Sequence, residues 1–123
     1  MDGRSLTDKH TMKDGLNTIR DERKRQIGEL GFTHEKDDLY VKGELLEAST
    51  CYMLAAASMQ VDKDKTPKTP EQIKFILIKD EMWPFPPEWL KITDVNSCLR
   101  KAGGLLVAEM DRRQREEAAG LDF

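Results

Sequence analysis

Apolar residues recur at helical spacing in three stretches of the chain. From about Lys13 to Leu30, the residues Leu16, Ile19, Arg23, Ile27 and Leu30 fall at three- and four-residue steps, and Gly31 stands where a helix would end. The apolar stripe is thin, and Arg20, Arg23, Lys24 and Arg25 crowd around it, so this helix is expected either to lie on a surface or to present its charges to something. A second helix is expected from Glu44, just after Gly43, to about Gln60. Its Leu45, Leu46, Ala48, Cys51, Tyr52, Leu54, Ala55 and Met59 cover much of the circumference and mark it as the central core helix. The third begins behind a cap at Thr93 or Asp94, with Val95, Cys98, Leu99, Ala102, Leu105, Leu106 and Met110 as its apolar face. Arg112 to Glu117 continue it as a solvated extension ending near Gly120.

Between these stretches the pattern weakens. Phe32 to Tyr40 reads as a polar connection, and residues 61–68 as a loop rich in lysine, aspartate and proline. Thr69-Pro70-Glu71-Gln72 has the form of a capping box with proline at the first helical position. Ile73 to Ile78 is β-branched and apolar enough for a short strand; the helix is preferred, because a lone strand would have no partner. Prolines 84, 86 and 87 forbid regular structure across the next segment. The expected fold is mainly α: a small bundle of three long helices, a short helix or strand near 70–78, and a proline-aromatic loop. Residues 1–12 are expected to form a flexible arm, 13–117 one helical domain and 118–123 a tail.

Composition narrows the function classes. The chain has 123 residues, with 20 lysines and arginines against 23 acids and a net charge of -3, which excludes a broad cationic field for duplex nucleic acid. Hydrophobic residues make up 38% and charged residues 35%, so apolar surface must be concentrated on few faces, and a homo-oligomer is expected to relieve the thin core. Cys51 and Cys98 lie far apart in apolar helical patterns without a metal-binding motif, and are expected as buried, reduced thiols in a cytoplasmic protein. The N-terminal residues lack an apolar signal core and no apolar run would span a bilayer, so no membrane partner is expected.

Candidate chemistry lies in four groups. Trp83-Pro84-Phe85-Pro86-Pro87-Glu88-Trp89 sets two indoles and a phenyl ring on a backbone stiffened by proline; such rings can form a base-stacking wall or act as a strap closing the bundle. Glu44 and Glu47 share one helical face, as magnesium ligands do, and Glu35, Asp37 and Asp38 lie just before them. His34 or Glu35 can serve as a general base. Arg23, Arg25, Lys91, Arg100 and Lys101 can meet phosphate, whereas Lys101-Ala102-Gly103-Gly104 lies within a helical pattern and reads as close helix packing, not as a phosphate loop.

Taken together, Glu22-Arg23-x-Arg25-Gln26, Gly31-Phe32-Thr33-x-Glu35-x-Asp37-Asp38, Gly43-Glu44-Leu45 with Cys51-Tyr52, Trp83-Pro84-Phe85 with Glu88-Trp89-x-Lys91, and Lys101-Ala102-Gly103 with Ala108-Glu109-x-Asp111-Arg112 form a recognisable signature. It resembles a widespread family of short, uncharacterised bacteriophage proteins from about Glu22 to Arg112, with an extra stretch around residues 61–79. The glutamine-bearing helix, acidic connection and glutamate-rich helix are also similar to the all-α nucleoside triphosphate pyrophosphohydrolases of MazG type. Those enzymes hold magnesium with two helical acidic pairs, and this chain supplies one, Glu44 and Glu47.

Three functions are therefore expected, in this order. The first is sequestration, without cleavage and without a cofactor, of a nucleotide-derived host immune signal by a phage protein. Trp83, Phe85 and Trp89 would stack on it, Arg23, Arg25 and Lys91 would meet phosphates, and Asp37, Asp38 and Glu44 would accept hydrogen bonds. The second is magnesium-dependent pyrophosphohydrolysis, with Glu44, Glu47 and Asp38 as metal ligands and His34 or Glu35 activating water. The third is an adaptor that grips a host protein through the proline-aromatic segment.

Overall fold

A computed structural model describes residues 14–60 and 65–120. The expected N-terminal arm at 1–12 lies outside the described residues, as do 61–64 of the loop and 121–123 of the tail. The described chain is all α: α1 (Gly15–Gly28), α2 (His34–Asp37), α3 (Glu44–Met59), α4 (Pro70–Lys79), a 3-10 turn at Pro87–Trp89, and α5 (Val95–Gly120). The expected polar connection at 32–40 thus contains one helical turn, α2, started by the Thr33 side chain accepting from the backbone of Lys36. The final helix runs to Gly120, three residues beyond the domain edge expected at 117.

The segment at 70–78 is a helix because its ends and its buried face agree. Thr69 and Gln72 complete both halves of the capping box and Pro70 occupies the first turn. Ile73 and Leu77, four residues apart, bury on one side while Phe75 and Ile76 remain exposed. At its far end Glu81 takes the left-handed conformation (φ 56°), the Met82 N–H returns to the Leu77 carbonyl, and the Glu81 N–H to that of Ile78. That reversal turns the chain inward at Trp83.

The core lies mainly between α3 and α5, the most extensively packed pair of elements. Leu45, Ala48, Tyr52 and Ala55 of α3 meet Cys98, Ala102, Leu105 and Ala108 of α5 in one cluster. Within it the Ser49 hydroxyl donates to the Ala102 carbonyl at 2.7 Å. Both thiols are buried and free. Burial pushes Cys51 up to about 11, and its Sγ–H donates to the Met82 carbonyl. Iodoacetamide at pH 8 is accordingly expected to modify neither cysteine of the native protein appreciably within the time it labels both in denaturant. Mass spectrometry of the two samples checks this, and rapid native labelling would place a thiol at the surface.

The first helix departs from its expected apolar stripe. Leu16 and Leu30 are exposed, and the face turned inward is Glu22, Arg23 and Gln26. It approaches α5 closely at Gly104, where a Cβ would stand within 2.9 Å of three atoms of the Gln26 amide. The Gly103-Gly104 pair is therefore a helix-packing notch, with Ile19 over Gly103 and Gln26 over Gly104.

Candidate functional site

The loop between α4 and α5 carries its own fastening. The Trp83 indole N–H donates to the Pro86 carbonyl at 3.0 Å, and Leu90 just beyond the 3-10 turn is buried in the core. Trp83 is 9% exposed and Trp89 43%, so the first ring is anchored and the second is presented. Tyr52 of α3 meets Trp83 edge-on at 5.6 Å, Trp83 meets Phe85 at 5.7 Å, and Phe85 meets Trp89 at 5.4 Å. Phe32 then closes on Trp89 at 6.1 Å, and Tyr40 on Phe85 at 5.0 Å. Phe32 is delivered there by Gly31, whose left-handed backbone (φ 76°) lets the Phe32 N–H return to the Gln26 carbonyl.

This run of rings borders a cavity of about 150 Å3 that Gln26, Leu30 and Leu105 also line. Three cationic side chains, Arg25, Lys91 and Lys101, and one carboxylate, Glu22, complete its wall. Arg25 binds Glu22 through two nitrogens, at 2.7 and 3.1 Å, so its charge is locally answered. The hydrogen bond from Arg25 to that carboxylate holds its guanidinium above its ordinary range. Lys101 donates to the Lys91 carbonyl at 2.7 Å and lies 5.5 Å from the centre of the Tyr52 ring; burial pulls its ammonium below the usual lysine range. Burial pushes the Tyr52 hydroxyl up to about 12, and it accepts from the Lys91 backbone N–H. Gln26 is 3% exposed; its amide nitrogen donates to Glu22 at 3.3 Å, and its side-chain oxygen has no partner among the described residues. Because the carboxylate can accept only from the NH2 end, the amide oxygen is fixed as an open acceptor at this wall.

A second hollow of about 560 Å3 adjoins the first and shares Leu30, Phe32, Trp89 and Lys91 with it. Its own walls are Gly31, Lys36, Leu39, Tyr40 and Glu88.

The structure thus brings together Arg25, Trp83, Phe85, Trp89 and Lys91 of the residues expected to bind ligand. It places the others elsewhere. Arg23 and Asp37 form a buried ion pair between α1 and α2, leaving Arg23 Nε and Nη1 and Asp37 Oδ1 without hydrogen-bond partners among the described residues. Burial pushes the Asp37 carboxyl up against the pull of Arg23. Asp38 is held by Arg115 of α5 at 2.8 Å, which lowers its carboxyl. Glu44 turns back to accept from the Lys42 backbone, and Glu47, His34 and Glu35 are exposed. Among the described residues no three His, Cys, Asp or Glu side chains gather closely enough to hold a metal ion. Glu22, Gln26, Phe32 and Tyr52 were not expected as wall residues. The signal for Phe32 was its position directly after a helix-ending glycine; Gln26 carries no such local mark.

No helix among the described residues is long and apolar enough to cross a membrane. Comparison of the chain with models of protein families, with curated proteins and with solved structures finds no match.

Proposed function

We propose that this protein binds a nucleotide-type small molecule and retains it uncleaved. The observation that carries the reading is the ring-lined cavity of about 150 Å3, with Lys91 and Lys101 at its wall and the half-exposed Trp89 at its mouth. Rings already fixed by one another lose little freedom when a planar base enters, and ammonium groups beside them answer phosphate. Retention is favoured over hydrolysis because Asp38 and Glu44, two of the three ligands that hydrolysis would need, are held by Arg115 and by the Lys42 backbone N–H. Combined with the resemblance to short phage proteins, this suits a sponge for a nucleotide-derived host immune signal. The exposed Leu99, Leu106 and Met110, seven and four residues apart on one face of α5, support a homo-oligomer.

Calorimetry against a panel of nucleotides tests the reading. At least one is expected to bind, and Trp89→Ala to weaken it about 5- to 150-fold, the range for losing one stacked base. The bound compound should be recovered intact after incubation with magnesium. Absence of binding across the panel at millimolar ligand overturns the proposal, and release of pyrophosphate replaces it with hydrolysis.

A further inference from the structure

We infer that the ligand is a dinucleotide: two planar ring systems joined through phosphate, one ring in each hollow. The inference rests on the nucleotide reading above and extends it from one cavity to two.

The size of the inner cavity comes first. At about 150 Å3 it matches cavities that hold a single aromatic ring, so a base can enter and the sugar and phosphate must lie outside. Of the hollows that share walls with it among the described residues, the outer one shares the most, Leu30, Phe32, Trp89 and Lys91, whereas a hollow beside Thr18, Asp21 and Arg100 shares just Glu22 and Arg25, which bind each other. That hollow, at about 560 Å3, is by itself within the range of about 300–1,000 Å3 that accommodates a whole small ligand. A single ribose and phosphate would leave much of it unfilled.

The outer walls are also wrong for sugar and phosphate alone. Leu30, Phe32, Leu39, Tyr40 and Trp89 line it, and Leu39 keeps 73% of its surface exposed beside the ring of Tyr40. Such a wall offers a second ring the apolar contact and stacking that the inner cage offers the first. Trp89 borders both hollows and stands between the two ring positions.

Charge locates the linker. Lys91 belongs to both hollows, Lys101 to the inner and Lys36 to the outer, against Glu88 as the one carboxylate of the outer wall; Arg25 and Glu22 answer each other. The two hollows together carry a surplus of two positive charges in a chain whose net charge is -3. Two phosphate charges beside Lys91 would balance that surplus, and a two-base compound places its phosphates at this midpoint.

The test compares affinities on the full-length protein. The probes are the 5′-mononucleotides of adenine, guanine and uracil, the cyclic dinucleotides of the same bases, and the pyrophosphate-linked dinucleotide NAD. At least one two-base compound is expected to bind about tenfold or more tightly than its mononucleotide, the return for one further stacked base. Leu39→Ser, a change at an exposed side chain that should leave the thermal midpoint nearly unaltered, is expected to shrink that ratio, and Lys36→Ser to do the same. If mononucleotides bind as tightly as every dinucleotide, or if neither variant changes the ratio, the two-ring inference is wrong while the base-binding cage stands. If no probe binds, both fall together.

Discussion

Asp37→Ala is expected to remove about 3–5 kcal/mol of stability, one of the two largest losses among single changes in this chain. Asp37 has no exposed surface and its ion-pair partner Arg23 is also buried, so truncation leaves a guanidinium in the interior with no counter-charge. Two further nitrogens of Arg23 already have no hydrogen-bond partner among the described residues. Urea unfolding monitored by far-ultraviolet circular dichroism measures the loss. Replacing both partners, Arg23→Met with Asp37→Leu, should recover most of it, because an apolar pair of similar volume carries no desolvation cost. A single variant within about 1 kcal/mol of wild type would mean that α1 and α2 are not held by this contact. The same pair responds to acid with a sign opposite to that of the ion-paired Asp38 and Glu109. The folded Asp37 carboxyl lies above its ordinary value, so taking up a proton there favours the folded chain as pH falls toward 3.8. Asp38 and the buried Glu109 lie below theirs, held by Arg115 and by Arg112 with Arg113 respectively. Their contributions are present above the ordinary carboxylate range and are lost as pH falls through their folded values, so acid unfolding should be traced to them.

Trp83→Ala is expected to cost a comparable amount, about 3–5 kcal/mol, and to abolish ligand binding as well. The ring is 9% exposed, abuts Tyr52 and Phe85, and ties the loop through its N–H to the Pro86 carbonyl. Its removal opens a void against α3 and releases the segment that presents Trp89. Trp89→Ala, at a ring 43% exposed, should by contrast leave the denaturation midpoint much closer to wild type while still weakening the ligand. Parallel denaturant titrations of the two variants check the difference. Equal losses would make Trp89 part of the core and remove it from the binding surface.

How far these features could be read from the chain depends on where their partners lie. The helices α3 and α5 were legible because each repeats apolar residues over several turns; at α4 Thr69, Pro70 and Gln72 encode a helix start within four residues, but the β-branched run that follows left helix and strand both open. The inward face of α1 was not legible. Glu22, Arg23 and Gln26 look like a solvated face, and the buried arginine is answered by Asp37, 14 residues away. The turn α2 is too short for any periodic signal. At the cavity, Trp83, Phe85 and Trp89 announced themselves by crowding into seven residues, and Arg25 and Lys91 line the same cavity. The acidic residues at 37 and 38 were visible as a cluster, but their role depends on arginines elsewhere, one of them 77 positions from Asp38. Nothing local distinguishes a carboxylate that will meet a ligand from one that will meet a distant guanidinium. Gln26, Phe32 and Tyr52 reach the cavity only because α1, the Gly31 turn and α3 converge there.

The unequal surroundings of the two indoles have an optical consequence. Trp83 is sealed in the core and hydrogen-bonded to a carbonyl, whereas Trp89 stands half in water between the two hollows. The emission of the first is expected at shorter wavelength than that of the second, and unfolding should shift the first the more. Replacing Trp89 would therefore leave Trp83 as a single fluorophore that follows unfolding of the core.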